Sequence, residues 1–219
     1  MKAIYSLMML SLIALSCNNP NKNNNQENNS QESNIEIYEA QIQAINSNVT
    51  NLQTSGKARF VIEGDKMSVT IVINNAPPGI EHWQHFHGFP NEKSAKCATE
   101  LEDANEDGII DVVETEAVSG TTMVPFNQFP AEMAIPTDTY PMADDNGSYQ
   151  YEVEIPLNDL KIAFADAFND SELNLDRRVI YIHGVSSDTE LPKTVASLGD
   201  IPAHVTLPIA CGKIKKVEE

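Results

Sequence analysis

Alternating apolar and polar positions recur along this chain and predict strands. In SYQYEVEIPL (148–157) the residues Tyr149, Tyr151, Val153 and Ile155 alternate with polar partners, the period of a half-buried strand. The turn residues from Asp144 to Gly147 announce it. KARFVIEG (57–64) and KMSVTIVINN (66–75) are rich in β-branched and aromatic residues, and the Gly64-Asp65 step between them predicts a tight hairpin. RRVIYIHG (177–184) and HVTLPIACG (204–212) read as two further strands, and EIYEAQIQAI (36–45) as the first, with a helix as the alternative. Only NDLKIAFADAFND (158–170) has a helical pattern, of a turn or two. Strands at short intervals with Pro- and Gly-bearing loops predict an all-β, antiparallel sandwich or barrel.

The stretch from Gly88 to Met142 breaks this rhythm, with few strand signals and many acids and prolines. A loop that long in a compact domain is usually functional or held by an added constraint. Within it, DANEDGIIDVVE (103–114) places oxygen side chains at positions 1, 3, 5, 9 and 12, namely Asp103, Asn105, Asp107, Asp111 and Glu114. Gly108 stands at position 6 and Ile110 at position 8, and the carbonyl of Ile109 is the backbone ligand at position 7. This is an EF-hand-like calcium loop, in which a hard cation takes six to eight oxygens around a sharp turn. Its role is expected to be structural, stiffening an insertion that lacks a core; the plainer alternative is an acidic surface turn. Thr115, where an apolar residue usually follows, and weak helical flanks depart from the pattern.

The first sixteen residues, with one basic residue and an apolar run too short to span a bilayer, read as an export signal. Ala14-Leu15-Ser16-Cys17 resembles the lipobox of bacterial lipoproteins, which implies lipidation of Cys17 and a place in the cell envelope, in the periplasm or on the outer surface. Residues 17–34 then form an amide-rich tether that has too little apolar surface to fold. One domain is expected over 35–219, with 88–142 as its inserted loop.

Once Lys2 leaves with the signal, the 14 basic and 32 acidic residues of the chain become 13 and 32, a net charge of −19. That excludes nucleic acid and bare anionic membrane as partners, and favours cations. With Cys17 set aside, Cys97 and Cys211 remain, and an even pair in an oxidising compartment is most simply a disulfide. Two buried thiols are the alternative.

EHWQHFHGF (81–89) holds three of the five histidines. His85 and His87 are two apart, so on a strand both imidazoles share a face, as metal ligands would. His82 has the opposite parity and is expected to support rather than ligate. His183 ends a distant strand whose inward alternation includes Tyr181 and His183. From spacing alone, paired exposed or hydrogen-bonded imidazoles remain the bland reading.

His82-x-x-His85-x-His87-Gly-Phe89, then Cys97, then RRVIYIHG with His183, then IACGKI with Cys211 and Gly212, together resemble the copper/zinc superoxide dismutases. The resemblance covers residues 56–214. It implies a Greek-key β-sandwich, His85, His87 and His183 as copper ligands, His82 as a structural histidine, and a Cys97–Cys211 disulfide.

The departures bear on activity. No histidine stands between His87 and His183, so the bridging ligand and the zinc-site histidines are missing, and the calcium loop occupies that region. Pro208 and Ile209 stand near where the family has a superoxide-guiding arginine, and the net charge repels an anion. His204 is a candidate fourth ligand. Three imidazoles suit copper or zinc alike. Two functions follow: a lipid-anchored copper-binding protein, at most a weak dismutase-like oxidoreductase, or a non-catalytic, calcium-stabilised cell-surface interaction module on the same fold.

Overall fold

Burial in the first strand follows a period of two. Tyr38, Ala40 and Ile42 are covered while their neighbours are not, so β1 (Ile35–Ala44) is a strand rather than the alternative helix. The computed structural model describes residues 34–91, 93–169 and 171–218, so the expected signal, Cys17 and nearly all of the tether lie outside the described residues. The chain continues through β2 (Ser55–Glu63), β3 (Lys66–Asn74), β4 (Gln84–Gly88), β5 (Thr121–Pro125), β6 (Tyr149–Pro156), β7 (Val179–His183), β8 (Pro208–Lys213) and the short β9 (Lys215–Lys216).

Every pairing is antiparallel, and eight strands follow one path, β5-β4-β7-β8-β1-β2-β3-β6, with β9 beside β1. The β2–β3 hairpin runs in unbroken register from Ser55↔Asn74 to Glu63↔Lys66. Gly64, at φ 59, supplies the left-handed turn residue there. The path ends at β5 and β6, and no pairing joins these two ends among the described residues. The result is one strongly curled antiparallel sheet, a half-barrel, within the all-β antiparallel class expected.

The concave face holds the core. Phe60, Phe86 and Phe126 meet there, with ring centroids 5.3 Å apart for Phe60–Phe86 and 4.7 Å for Phe86–Phe126. Met67, Ile71, Ile73 and Ile155 surround them, all fully buried. Each such side chain contributes about 1.5–3 kcal/mol of transfer free energy.

Among the described residues four α-helices accompany the sheet: α1 (Ser47–Thr50), α2 (Val112–Ser119), α3 (Leu157–Ala167) and α4 (Ala203–Thr206). The expected helix is α3, longer than the turn or two its pattern suggested, and it buries Leu157, Leu160 and Phe164 on one face.

Three expectations need correction. The final strand begins at Pro208 rather than at residue 204, because the chain after Pro202 makes a helical turn, α4, closed by Val205 N–H donating to the Pro202 carbonyl at 2.9 Å. The insertion contains β5 and α2, which the sequence reading passed over. Helix α2 exists because Asp111 accepts from the N–H groups of Val113 and Glu114 while the Glu114 carboxylate returns to Asp111 N–H, a capping box inside the acidic loop. Finally, Ile180 and Ile182 face the core from β7, and Val179 and Tyr181 take the convex side, so the inward alternation is of the other parity.

That convex side carries a second apolar layer of Ala95, Val179, Tyr181 and Cys211. The Cys97–Cys211 disulfide fastens the insertion onto β8 there, with 5.8 Å between Cα atoms. Strands β4 and β7 are thereby buried on both faces along their whole length. At Gly120 the backbone approaches β4 so closely that a Cβ would lie 2.1 Å from the Gly88 carbonyl oxygen, which leaves room only for glycine.

Candidate metal centre

In β4, Phe86 enters the core, so His85 and His87 on either side of it must point the other way, to the convex face. A register shift between β4 and β5 falls between the same two histidines, opposite Thr122 and Pro125. Strand β7 pairs beside β4, with His85 opposite Tyr181, and its last residue His183 shares the parity of Tyr181. The three imidazoles therefore meet. Ring centroids are 5.0 Å apart for His85–His183, 5.6 Å for His87–His183 and 5.9 Å for His85–His87. One nitrogen from each lies within 4.8 Å of the others, and no other group of three or more His, Cys, Asp or Glu side chains converges in this way among the described residues.

Their exposure is only 3%, 2% and 2%, yet four ring nitrogens have no hydrogen-bond partner: both of His85, Nδ1 of His87 and Nε2 of His183. An unsatisfied buried polar atom costs about 1–3 kcal/mol, so four in one place call for a ligand. His183 is poised for one. Its Nδ1 sits 2.8 Å from the Thr206 carbonyl, which can only accept, so the proton belongs on Nδ1 and the lone pair on Nε2.

Burial holds all three rings in the neutral, ligating form. It depresses the His85 pKa well below its ordinary value, with the neighbouring imidazoles adding to the effect. Burial likewise lowers His87 to about 3, against a hydrogen bond with the Gly120 backbone, and His183 to about 4. Three imidazoles with free lone pairs fit a copper or zinc ion by donor type and by spacing.

His82 stands behind the cluster. Its Nδ1 lies 2.9 Å from the His183 carbonyl oxygen and its Nε2 2.9 Å from that of Pro77, so the ring bridges the end of β7 to the segment before β4. Tyr149 stacks on it at 5.7 Å.

His204 is elsewhere. It lies on α4 with Nε2 2.8 Å from the Thr189 carbonyl, and it is not among the converging residues. Tyr181, expected on the same face as His183, lies 4.7 Å from His87. The sequence reading missed two further aromatic rings around the site: Tyr140 5.6 Å from His85, and Trp83 6.1 Å from His85. Nothing local pointed to Tyr140, which belongs to the insertion.

The acidic loop 103–114 closes on its own backbone. Asp103 accepts from the N–H groups of Asp107 and Gly108, Asn105 from Asp107, and Asp107 from Ile109. Glu114 accepts from Ala104 and Asp111, and Ile109 is buried in the main core. Gly108 makes the sharp turn at φ 81. The side-chain oxygens are thus engaged by N–H groups, and no calcium site is shown. The loop also grips the segment that covers the histidines: Ala196 N–H donates to Asp111 Oδ2 at 2.7 Å, and the Thr194 hydroxyl donates to Asp107 Oδ2.

No family model and no curated protein matches this chain.

Proposed function

We propose that the chain is an exported, lipid-anchored metal-binding protein of the bacterial cell envelope, a divergent relative of the copper/zinc superoxide dismutases that holds one copper ion on His85, His87 and His183. The observation that carries this reading is the convergence of partnerless ring nitrogens in a buried site. Bound copper would supply one-electron chemistry; zinc, which the same donors suit, would not. The chain's own residues prepare the place. Thr206 fixes the proton of His183 and aims its Nε2 into the cluster, and His82 holds the end of β7 against the segment before β4. The order of strands about the curl supports a dismutase-like Greek-key fold.

Holding the metal, rather than rapid dismutation, is the role we favour. The site is closed, and the net charge of −19 left once Lys2 goes with the signal repels superoxide. Anchoring rests on lipidation of Cys17, and the Cys97–Cys211 disulfide agrees with an oxidising, extracytoplasmic setting. Calcium on the 103–114 loop belongs to the same proposal as a structural ion.

Elemental analysis after dialysis against trace copper tests it. Near-stoichiometric copper is expected, lost in His85→Ala and in His183→Ala and retained in His204→Ala. Unchanged metal content in the first two variants would leave only a calcium-braced interaction module. A superoxide assay with free-metal controls then measures any dismutase activity.

A further inference from the structure

Beside His85 and His183 lies a cavity of about 20 Å³. It exceeds the roughly 10–15 Å³ that one water requires, and it has no room for more than a few atoms. Val112, Ile135, Leu198, Ile201 and Trp83 form most of its wall, and none of them carries a charge. The hydroxyl of Thr206, also in the wall, is already paired with Ser197 at 2.8 Å. An occupant would therefore find as polar partners the unpaired ring nitrogens, or the metal they hold, and the Thr122 hydroxyl, which lies 3.4 Å from His87 Nε2. An anion entering here would give up its hydration with no cationic side chain in the wall to replace it, only neutral groups, whereas a small neutral molecule loses little.

We infer that the cavity reserves the free position at the three-histidine site for one uncharged ligand of one or two heavy atoms, and that its apolar wall keeps anions out. This rests on the copper reading above. The covering is thin. Leu198 is 43% exposed on its outer side, and the segment bearing it is held by the Ala196–Asp111 and Thr194–Asp107 hydrogen bonds. Trimming Leu198 and Ile201 should open the cavity to water, and enlarging Val112 should fill it.

Carbon monoxide titrated into the copper(I)-loaded full chain, read by its infrared stretch, tests the neutral-ligand half. Azide titrated into the copper(II)-loaded chain, read by its charge-transfer absorption, tests the exclusion. The expected result is one carbon monoxide per copper in the unmodified chain, with affinity reduced about tenfold or more in Val112→Phe at unchanged copper content. Azide should bind the Leu198→Ala/Ile201→Ala variant about tenfold or more tightly than the unmodified chain. Failure of carbon monoxide to bind a fully copper-loaded chain, or equal azide affinity in the two forms, overturns the inference alone. Absence of copper from the loaded protein overturns the metal reading and this one with it.

Discussion

Asp111 Oδ2 accepts the backbone N–H of Ala196 at 2.7 Å, and through that bond the cap of a short helix becomes the fastening of the cover over three histidines. Asp111 is 2% exposed and holds two further N–H groups of α2 with its other oxygen. Its replacement by Ala removes an N-cap, worth about 0.5–2 kcal/mol, and strands a third donor. Asp111→Ala should therefore cost about 2–3 kcal/mol in urea unfolding and raise hydrogen exchange over residues 194–201, with Asp111→Asn milder. A loss confined to stability, with exchange in that segment unchanged, would separate the cap from the cover.

Metal should stabilise the fold by mass action, since the ligands come from two strands that meet only when folded. At a free copper concentration about one hundred times the dissociation constant, the gain is about 2.7 kcal/mol. A thermal scan with and without copper measures it. His87→Ala should abolish the difference; a shift equal to that of the unmodified chain would place the metal elsewhere.

The metal-free protein should weaken in acid. The folded pKa of His87 is about 3 and that of His183 about 4, both below the ordinary imidazole value of roughly 6.5 that the unfolded chain recovers. Between those limits the unfolded state binds more protons, so stability falls as pH drops below about 6.5 and keeps falling towards 3 to 4. Urea midpoints from pH 8 to 4 should trace this decline. His87→Gln should flatten it, and an unchanged slope in that variant would assign the acid sensitivity to other groups.

Reduction of Cys97–Cys211 frees a loop of 114 positions, for which chain entropy alone suggests about 4–5 kcal/mol. Paired Cys97→Ser and Cys211→Ser substitutions should lower the urea midpoint accordingly. A loss well under 1 kcal/mol would mean that the insertion is held by its hydrogen bonds without the covalent link.

Calcium is expected to raise the melting temperature of the unmodified chain relative to chelator. In Asp103→Ala that increment should vanish, even though the variant also loses the Asp107 and Gly108 hydrogen bonds and is weaker throughout. An increment preserved in Asp103→Ala would remove calcium from residues 103–114.

What the sequence disclosed follows from the range of the forces involved. The β2–β3 hairpin was legible because its alternation and its Gly64 turn are local. His85 and His87 shared a face for the same reason. Which face was not legible: strands buried on both sides lose the polar positions that mark inside from outside, and only the contact of Phe86 with Phe60 and Phe126 decides it. The fate of His204 turned on one helical turn after Pro202. Tyr140 and the aliphatic groups over the site come from the insertion and from the segment ending at Pro202, whose positions depend on long-range hydrogen bonds with no local signature.

Because β4 sends Phe86 one way and its flanking imidazoles the other, the histidine cluster and the fold share a single register. Sliding β4 by one residue against β7 would drive two polar rings into the apolar core and leave a phenyl ring where the imidazoles now meet. A chain that has paired β4 with β7 correctly has, by the same act, already gathered its three imidazoles.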